Sequence, residues 1–317
     1  MFAGLAVWGL TVGLLAAAPV GTRVGETGFE KYTANGGKLI FYLSSAASGE
    51  ALPLVVFVPG TGCGSAFVEG NGRILSGLQS LLLEASRGRA RVMVVEKPGV
   101  QYLDVAAEAG NSRKCREEFV REYTLEKWAG QIAEAMRIAR GMAGVERRRM
   151  LVVGHSEGAL VAMRVSNLER GVTHVAALSG GGPTYLFHMA EFLRKKGLDP
   201  ERELYPCWNE IRKDPASTTK FCWGQTHRQW WSFMKTSMVA EALRSRSALY
   251  FGHGTGDELN PISAFDVLRA ELAAKGRSAV FDRVEGAGHG FERRGEDAPA
   301  GLLAVFGRIF GWFAGAE

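Results

Sequence analysis

Short apolar runs alternate with helix-compatible stretches along most of the chain after residue 53. Four to eight consecutive apolar residues bounded by turn residues are typical of strands that are covered on both faces. The predicted strands are residues 54–58, 92–95, 150–153, 175–178, 248–252 and 279–284, and the predicted helices are residues 77–86, 125–140, 158–169, one that begins near Pro261 and one over 301–313. This alternation predicts an α/β fold whose mostly parallel sheet lies between two layers of helices.

Two segments depart from the alternation. Residues 26–45 predict a β-hairpin with an Asn-Gly-Gly turn at 35–37. Residues 184–235 contain four of the seven tryptophans together with many polar residues, and we interpret them as a cap inserted after a strand. The chain is therefore expected to divide into a core, residues 23–183 and 236–317, and this cap insertion.

The composition is that of a globular protein. Of the 317 residues, 46% are hydrophobic and 22% are charged, which excludes disorder and a many-pass membrane protein. The net charge of +5 comes from scattered basic side chains, and a short basic run at 147–149 abuts a predicted strand. We interpret that run as a solvated loop, so the charge gives no reason to expect a nucleic-acid partner.

The first 22 residues are a candidate targeting segment. They are apolar through Val20, carry no charged side chain before Arg23, and include an Ala-Ala-Ala run at 16–18 that is typical of a signal-peptide cleavage site. We expect export to the periplasm or the cell exterior. The main alternative is an uncleaved anchor that associates with the membrane, because the run approaches the roughly 20 residues that span a bilayer. A buried helix is the third interpretation.

The four cysteines are an even number, which permits two disulfides in an exported protein. Three pairings are possible. Cys207 and Cys222 lie in one segment and are expected to pair with each other. Cys63 and Cys115 both follow predicted strands, and their loops can meet if those strands are neighbours. No C-x-x-C spacing occurs, so neither a zinc site nor a thioredoxin-like redox motif is expected.

The predicted strand 150–153 runs into Gly-His-Ser-Glu-Gly at 154–158 and then into a predicted helix. This is a G-x-S-x-G pattern in a strand-turn-helix context. A sharp turn there brings backbone segments too close for a Cβ atom at the glycines, and it presents the hydroxyl of Ser156 above the sheet. Ser156 is therefore the candidate nucleophile.

A serine hydroxyl needs a base to take its proton and a carboxylate to orient that base. Asp257 follows the predicted strand 248–252, and His289 follows the predicted strand 279–284. Both therefore lie where ligands of open α/β sheets bind, at the carboxyl ends of the strands. We predict that His289 is the general base and that Asp257 orients it.

Other residues compete for these roles. Asp257 has a helix-capping interpretation, and Asp282 and Glu285 are then the substitute acids. His155 flanks the nucleophile, and His253 lies at a strand end where it is expected to support the Asp257 loop.

Three motifs in this order, GHSEG, GTGDELNP and GAGHGF, resemble the active-site motifs of the α/β-hydrolase superfamily. The resemblance covers residues 50–315 apart from the cap. It implies an eight-stranded sheet, a Ser-Asp-His triad, hydrolysis through an acyl-enzyme, and neither a cofactor nor a metal. It also implies an oxyanion hole made by the backbone N–H groups of Glu157 and of Thr61, with Gly62 as the alternative to Thr61.

The expected function is a carboxylic-ester hydrolase that acts on a small-molecule ester. A serine peptidase of the prolyl-oligopeptidase or aminopeptidase type uses the same triad on a peptide substrate and is the alternative. A binding or sensor protein that keeps the fold without turnover, and an acyltransferase, are further hypotheses.

Overall fold

The computed structural model describes residues 20–45, 49–106, 108, 110–296 and 298–315. The expected export signal rests largely on residues 1–19, which lie outside these ranges. The strands are β1 (Thr22–Arg23), β2 (Phe29–Ala34), β3 (Leu39–Ser44), β4 (Leu52–Val58), β5 (Phe67–Gly70), β6 (Arg73–Ser76), β7 (Arg91–Val95), β8 (Val145–His155), β9 (His174–Leu178), β10 (Phe221–Cys222), β11 (Gln225–Thr226), β12 (Ala248–Gly254) and β13 (Val280–Val284).

The helices begin at several capping side chains, including those of Thr124, Thr184 and Ser237, each of which accepts a hydrogen bond from a backbone N–H of the first turn. The helices are α1 (Gln79–Ser86), α2 (Glu117–Glu122), α3 (Leu125–Ala139), α4 (Glu157–Leu168), α5 (Tyr185–Lys195), α6 (Pro200–Glu203), α7 (Tyr205–Lys213), α8 (His227–Met234), α9 (Met238–Arg244), α10 (Ile262–Ala274) and α11 (Ala298–Ala314). Among the helices of the described ranges, none combines the length and apolar character that crossing a bilayer requires.

The main sheet has the strand order β1-β2-β3-β7-β4-β8-β9-β12-β13. The six strands from β7 to β13 in this order are parallel, and β1, β2 and β3 form an antiparallel edge. The predicted mostly parallel sheet and the predicted hairpin are thus confirmed. The sheet has nine strands instead of the expected eight, because the two-residue strand β1 pairs with β2 at the edge.

The central strands are buried on both faces. In β4, Leu54, Val56 and Val58 belong to one hydrophobic core, whereas Val55 and Phe57 belong to the other. Side chains of a strand alternate between faces, so each strand contributes to both cores. Residues of α3, α4, α9 and α10 complete the first core, and residues of α1 and α11 complete the second. The predicted two helical layers follow from this double burial.

Residues 184–235, called the inserted segment below, fold into α5 to α8 and the short hairpin β10–β11. They have a small core of their own around Ile211 and Trp230. Two cysteine pairs are formed, with Cα–Cα distances of 6.3 Å for Cys207–Cys222 and 6.0 Å for Cys63–Cys115. The expected Cys207–Cys222 pair is therefore confirmed, and Cys63 and Cys115 meet because β4 and β7 are neighbours in the sheet.

The basic run at 147–149 was expected in a loop but lies inside β8. The pairing of β8 with β4 jumps from Pro53 opposite Glu146 to Leu54 opposite Met150, so the three arginines have no partner on β4. Two of them are exposed in this bulge. The hairpin β5–β6 and the helices α2 and α9 were not predicted, since each is too short to show a clear periodicity.

Candidate active site

Ser156 lies in the turn between β8 and α4. Its φ of 57° and ψ of −122° are values that residues with a side chain rarely adopt. A hydrogen bond holds this turn, in which the N–H of Ser156 donates to the carbonyl oxygen of Leu178 over 2.8 Å. The backbone at Gly158 lies so close to β4 that an added Cβ atom would overlap the carbonyl oxygen of Val58. The close approach of α4 to β4 therefore requires glycine at 158, and the backbone forms the sharp turn that the sequence predicts.

Asp257 and His289 are hydrogen-bonded to each other. Nδ1 of His289 donates to Oδ2 of Asp257 over 2.8 Å, and the N–H groups of Leu259 and Asn260 each donate to Oδ1 over 2.8 Å. The Asp257 side chain is fully buried. Burial alone would raise the pKa of Asp257, but the hydrogen bond from His289, its charge and the Asn260 N–H together hold that pKa below its ordinary value. Asp257 is therefore an anion at neutral pH.

This hydrogen bond fixes the tautomer of His289. With the proton on Nδ1, the neutral ring has an unprotonated Nε2, which is the atom that accepts a proton in general-base catalysis. The ring lies beside the turn that carries Ser156. Its centroid is 5.0 Å from that of His155, and the carbonyl oxygen of His289 accepts a hydrogen bond of 2.9 Å from Nε2 of His155.

Two further histidines support the loops. Burial lowers the pKa of His155 to about 4, so His155 is neutral. The fully buried His253 donates from Nε2 to the carbonyl oxygen of Asn260 over 2.7 Å and stands 3.7 Å from Oδ2 of Asp257. His253 thus supports the loop that carries Asp257, in the place expected from the sequence.

The alternative acids are placed elsewhere. Asp282 accepts hydrogen bonds from Tyr250 and, over 2.9 Å, from Arg308 on α11. Glu285 is exposed after β13. Of the three candidate carboxylates, only that of Asp257 contacts His289.

The loop after β4 passes directly beside Ser156. A Cβ atom built on Gly60 would lie 3.1 Å from Cβ and 3.5 Å from Oγ of Ser156. Thr61 follows Gly60 in this loop, and Glu157 follows Ser156 as the first residue of α4. The structure therefore brings the residues of both predicted oxyanion-hole donors, Thr61 and Glu157, next to Ser156.

Behind this loop lies a buried polar cluster that the sequence did not reveal. Lys97 donates to backbone carbonyls of the loop, and the hydroxyl of Tyr123 donates to the buried carboxylate of Glu157. Burial raises the pKa of Glu157, whereas the charge of Lys97 and the Tyr123 hydrogen bond lower it. The available sequence signal was the adjacent charged pair Glu96-Lys97 immediately after an apolar strand.

The inserted segment contributes Tyr185 and His188 on α5. Their rings are 5.4 Å apart in an edge-to-face arrangement, and His188 packs against Gly181 after β9. Nδ1 of His188 is buried without a hydrogen-bond partner in the described ranges. Burial lowers the pKa of His188 to about 4. A single tyrosine or histidine in a helix is not part of any recognisable motif, so neither Tyr185 nor His188 was predicted.

A cavity of about 400 Å³ adjoins the loop after β4. Its walls include Gly60, Thr61, Leu78, Glu96 and Lys97. This volume is within the range of sites for small organic ligands. Within the part of the chain that the structure describes, no group of three or more His, Cys, Asp or Glu side chains is arranged to hold a metal ion.

The model of the alpha/beta hydrolase family matches residues 55–305. The chain therefore belongs to the alpha/beta hydrolase family. A comparison with curated proteins by sequence finds no match.

Solved structures share the fold at low sequence identity. Est1E from Butyrivibrio proteoclasticus is 15% identical, with a TM-score of 0.58 over 91% of this chain and 99% of its own. Acylaminoacyl peptidase from Pyrococcus horikoshii is 15% identical, with a TM-score of 0.58 over 87% of this chain, which spans only 39% of that peptidase. Acetyl Xylan Esterase 1 from Thermoanaerobacterium sp. JW/SL YS485 is 16% identical, with a TM-score of 0.50 over 87% of this chain and 82% of its own.

Proposed function

We propose that this protein is a serine hydrolase that works through an acyl-enzyme and that its substrates are carboxylic esters. The observation that carries the proposal is the hydrogen bond between Nδ1 of His289 and the buried carboxylate of Asp257, at the sheet edge where Ser156 forms its strained turn. A buried acid, a histidine in the tautomer of a base and a presented hydroxyl are the groups that nucleophilic acyl transfer requires.

In the proposed reaction, Oγ of Ser156 attacks the ester carbonyl carbon while Nε2 of His289 takes the hydroxyl proton. The carbonyl oxygen becomes an oxyanion that the N–H groups of Thr61 and Glu157 bind. His289 then donates the proton to the leaving alcohol as the C–O bond breaks, which leaves an acyl group on Ser156. Water repeats the sequence, so the acid is released and the serine is restored. Each oxyanion-hole donor typically contributes about 10²–10³ in rate.

The preference for esters is supported by the relatives whose whole length resembles this chain. One solved structure has ferulic acid bound to Est1E, of which this chain covers 99%, and Acetyl Xylan Esterase 1 is covered over 82% of its length. More than half of the acylaminoacyl peptidase lies outside the region that this chain matches. We therefore place the peptidase activity second.

We further infer that the protein works in an oxidising compartment. Two cysteine pairs stand at disulfide distance, and such bonds persist in exported proteins. This agrees with the export expected from residues 1–22, and the membrane anchor remains its alternative. The inserted segment is proposed to be the cap over the substrate, because His188 on its helix α5 is close enough to Asp257 and His289 for their charges to act on its pKa.

The test is a panel of p-nitrophenyl esters of increasing acyl length against peptide p-nitroanilides, together with labelling by a fluorophosphonate. Wild type should turn over the esters and be labelled at Ser156, and Ser156→Ala should do neither. Turnover of the anilides alone would establish the peptidase. Stoichiometric labelling without turnover of any compound would establish a binding protein instead.

A further inference from the structure

Lys97 is a buried cation directly after β7, at the same sheet edge as the proposed triad. The residue is 6% exposed, and its ammonium lies 5.0 Å from the ring centroid of Trp128 and 5.7 Å from that of Tyr123. Removing an ammonium from water costs several kcal/mol unless hydrogen bonds and opposite charges compensate. The partners of Lys97 therefore indicate what this cation does in the fold.

Those partners are backbone carbonyl oxygens of the loop after β4. Nζ of Lys97 donates to the oxygen of Gly60 and, over 2.7 Å, to that of Gly62. The two carbonyls flank Thr61, whose N–H is the proposed oxyanion donor. The Gly60 oxygen belongs to the peptide that carries the Thr61 N–H, and the Gly62 oxygen belongs to the Gly62–Cys63 peptide.

The orientation of the Thr61 N–H follows from covalent geometry. The carbonyl of Gly60 and the N–H of Thr61 belong to one planar trans peptide, in which the C=O and N–H bonds point in opposite directions. Because the ammonium binds the Gly60 oxygen, the Thr61 N–H must point away from Lys97. Gly60 itself abuts Ser156, since a Cβ atom added at this glycine would lie only 3.1 Å from Cβ of the serine.

We propose that Lys97 is a positioning residue that fixes the Gly60–Thr61 peptide so that its N–H faces the oxyanion formed at Ser156. The inference rests on the serine-hydrolase function proposed above. A peptide whose oxygen is bound by a cation is also polarised, which makes its N–H a stronger donor. Lys97 therefore acts on the oxyanion through the peptide.

The charge on Lys97 is maintained by its neighbours. Burial lowers the pKa of Lys97 to about 8, while the charges of Glu157 on α4 and of Glu96 at its own strand end oppose that shift. The third ionisable neighbour, Tyr123, has its pKa raised well above the ordinary value by burial and stays neutral. The amine is protonated at neutral pH, and it loses its charge as the pH rises above about 8.

The experiment compares Lys97→Met, the double variant Lys97→Met/Glu157→Gln and the control Arg277→Met. The double variant also removes the buried carboxylate of Glu157, which the single variant would leave without its cation. A loss of activity in the double variant therefore cannot be attributed to unfolding caused by an unpaired buried charge. Arg277 also binds backbone carbonyls, those of Ala242, Ser245 and Ser247, but it lies before β13 at the opposite end of the sheet. The readouts are kcat and KM for p-nitrophenyl acetate, the rate of fluorophosphonate labelling, and the ¹H–¹⁵N resonance of the Thr61 amide.

Both Lys97 variants should lose about 10- to 100-fold in kcat with KM within threefold, as expected when part of one oxyanion donor is lost. Arg277→Met should stay within twofold. The wild-type rate should decline above about pH 8, and Lys97→Met should lack this decline. Recovery of wild-type kcat in the double variant would overturn the proposal, because Lys97 would then serve only to compensate the charge of Glu157.

The amide resonance separates this inference from the proposed function. If wild type neither turns over esters nor reacts with the fluorophosphonate, the hydrolase proposal fails, and the resonance still reports on the peptide. Lys97→Met should shift the Thr61 amide, while Arg277→Met should leave it in place. An unchanged Thr61 resonance in Lys97→Met would show that the loop holds its own geometry, and it would refute the positioning role.

Discussion

At the scale of single residues, the candidate site depends on groups whose environments differ sharply. Asp257 is fully buried and still an anion, since three donors satisfy its oxygens. Ser156 has a rare backbone conformation, and its N–H is hydrogen-bonded to the carbonyl oxygen of Leu178 at the end of β9. Such strained turns persist only where the neighbouring structure enforces them, and they are common at functional sites.

The nucleophile and the base should act as one unit. Ser156→Ala and His289→Ala are each expected to lower kcat by about 10⁴ or more, because removing either group ends nucleophilic attack. Both residues lie in turns at the sheet edge, so the far-ultraviolet circular dichroism spectrum should match wild type. Substantial ester turnover by folded Ser156→Ala would remove this serine from the mechanism.

The acid can be tested with a matched carboxylate. Asp257→Asn keeps the shape but favours the wrong tautomer of His289, and a loss of about 10⁴ in kcat is expected from the analogous change in serine proteases. Asp282→Asn should remain within a few-fold of wild type, since that carboxylate bonds Tyr250 and Arg308. The reverse pattern in steady-state kinetics would move the acid to Asp282.

At the scale of elements, the inserted segment is connected to both sides of the site. Nζ of Lys195 on α5 donates to the carbonyl oxygen of Asp257 over 2.7 Å. At the other end, the N–H of Ser112 donates to Gly224 beside β11 over 2.7 Å. The Cys63–Cys115 bond then links this region to the loop after β4. The Cys63–Cys115 disulfide therefore constrains the loop after β4, whereas the Cys207–Cys222 disulfide lies within the inserted segment.

Removing each disulfide should accordingly have a different effect. Cys63→Ala/Cys115→Ala frees the loop that carries Thr61, so kcat should fall by about tenfold, part of an oxyanion donor's contribution. Because the two cysteines are separated by 52 residues in sequence, the free energy of unfolding should decrease by about 4 kcal/mol in the loop-entropy model. Both effects are measured by steady-state kinetics and urea unfolding.

Cys207→Ala/Cys222→Ala is the comparison, because that pair lies within the inserted segment at a separation of 15. It should cost about 3 kcal/mol in the same model and should change the acyl-length preference before it affects fluorophosphonate labelling of Ser156. An equal loss of labelling in the two variants would contradict the division of roles.

At the scale of the whole molecule, buried neutral histidines make the free energy of unfolding depend on pH. Burial lowers the pKa of both His155 and His188 from 6.5 to about 4. The unfolded chain therefore binds more protons than the folded one between those values, and protonation favours unfolding. The stability that these two neutral histidines contribute is fully present above about pH 7 and is lost as the pH falls toward 4.

The contribution of these two histidines to the free energy of unfolding should thus decrease between pH 7 and pH 4, by on the order of several kcal/mol for the two together. His188→Gln carries no titrating group and should give a shallower slope. His174→Gln is the control, since His174 is only half-buried and its removal should change the slope less. Urea unfolding at a series of pH values measures this, and identical slopes for wild type and His188→Gln would refute it.

The sequence by itself determined the local features of this protein. The apolar runs predicted the central strands because such runs are buried on both faces, and the pattern around Ser156 predicted the strand-to-helix turn because only glycine tolerates the close approach there. The order of Ser156, Asp257 and His289 at successive strand ends was sufficient to propose their roles.

Only the tertiary structure decided which distant groups meet. It selected Asp257 over Asp282 as the partner of His289, joined Cys63 to Cys115, and placed Lys97 against the loop that contains Thr61. Neither a helix period nor a motif encodes such contacts, since they depend on the order of strands in the sheet and on the packing of loops far apart in sequence. Local sequence patterns therefore determined the strands and helices, whereas contacts between residues far apart in sequence determined the surroundings of Asp257, His289 and Lys97.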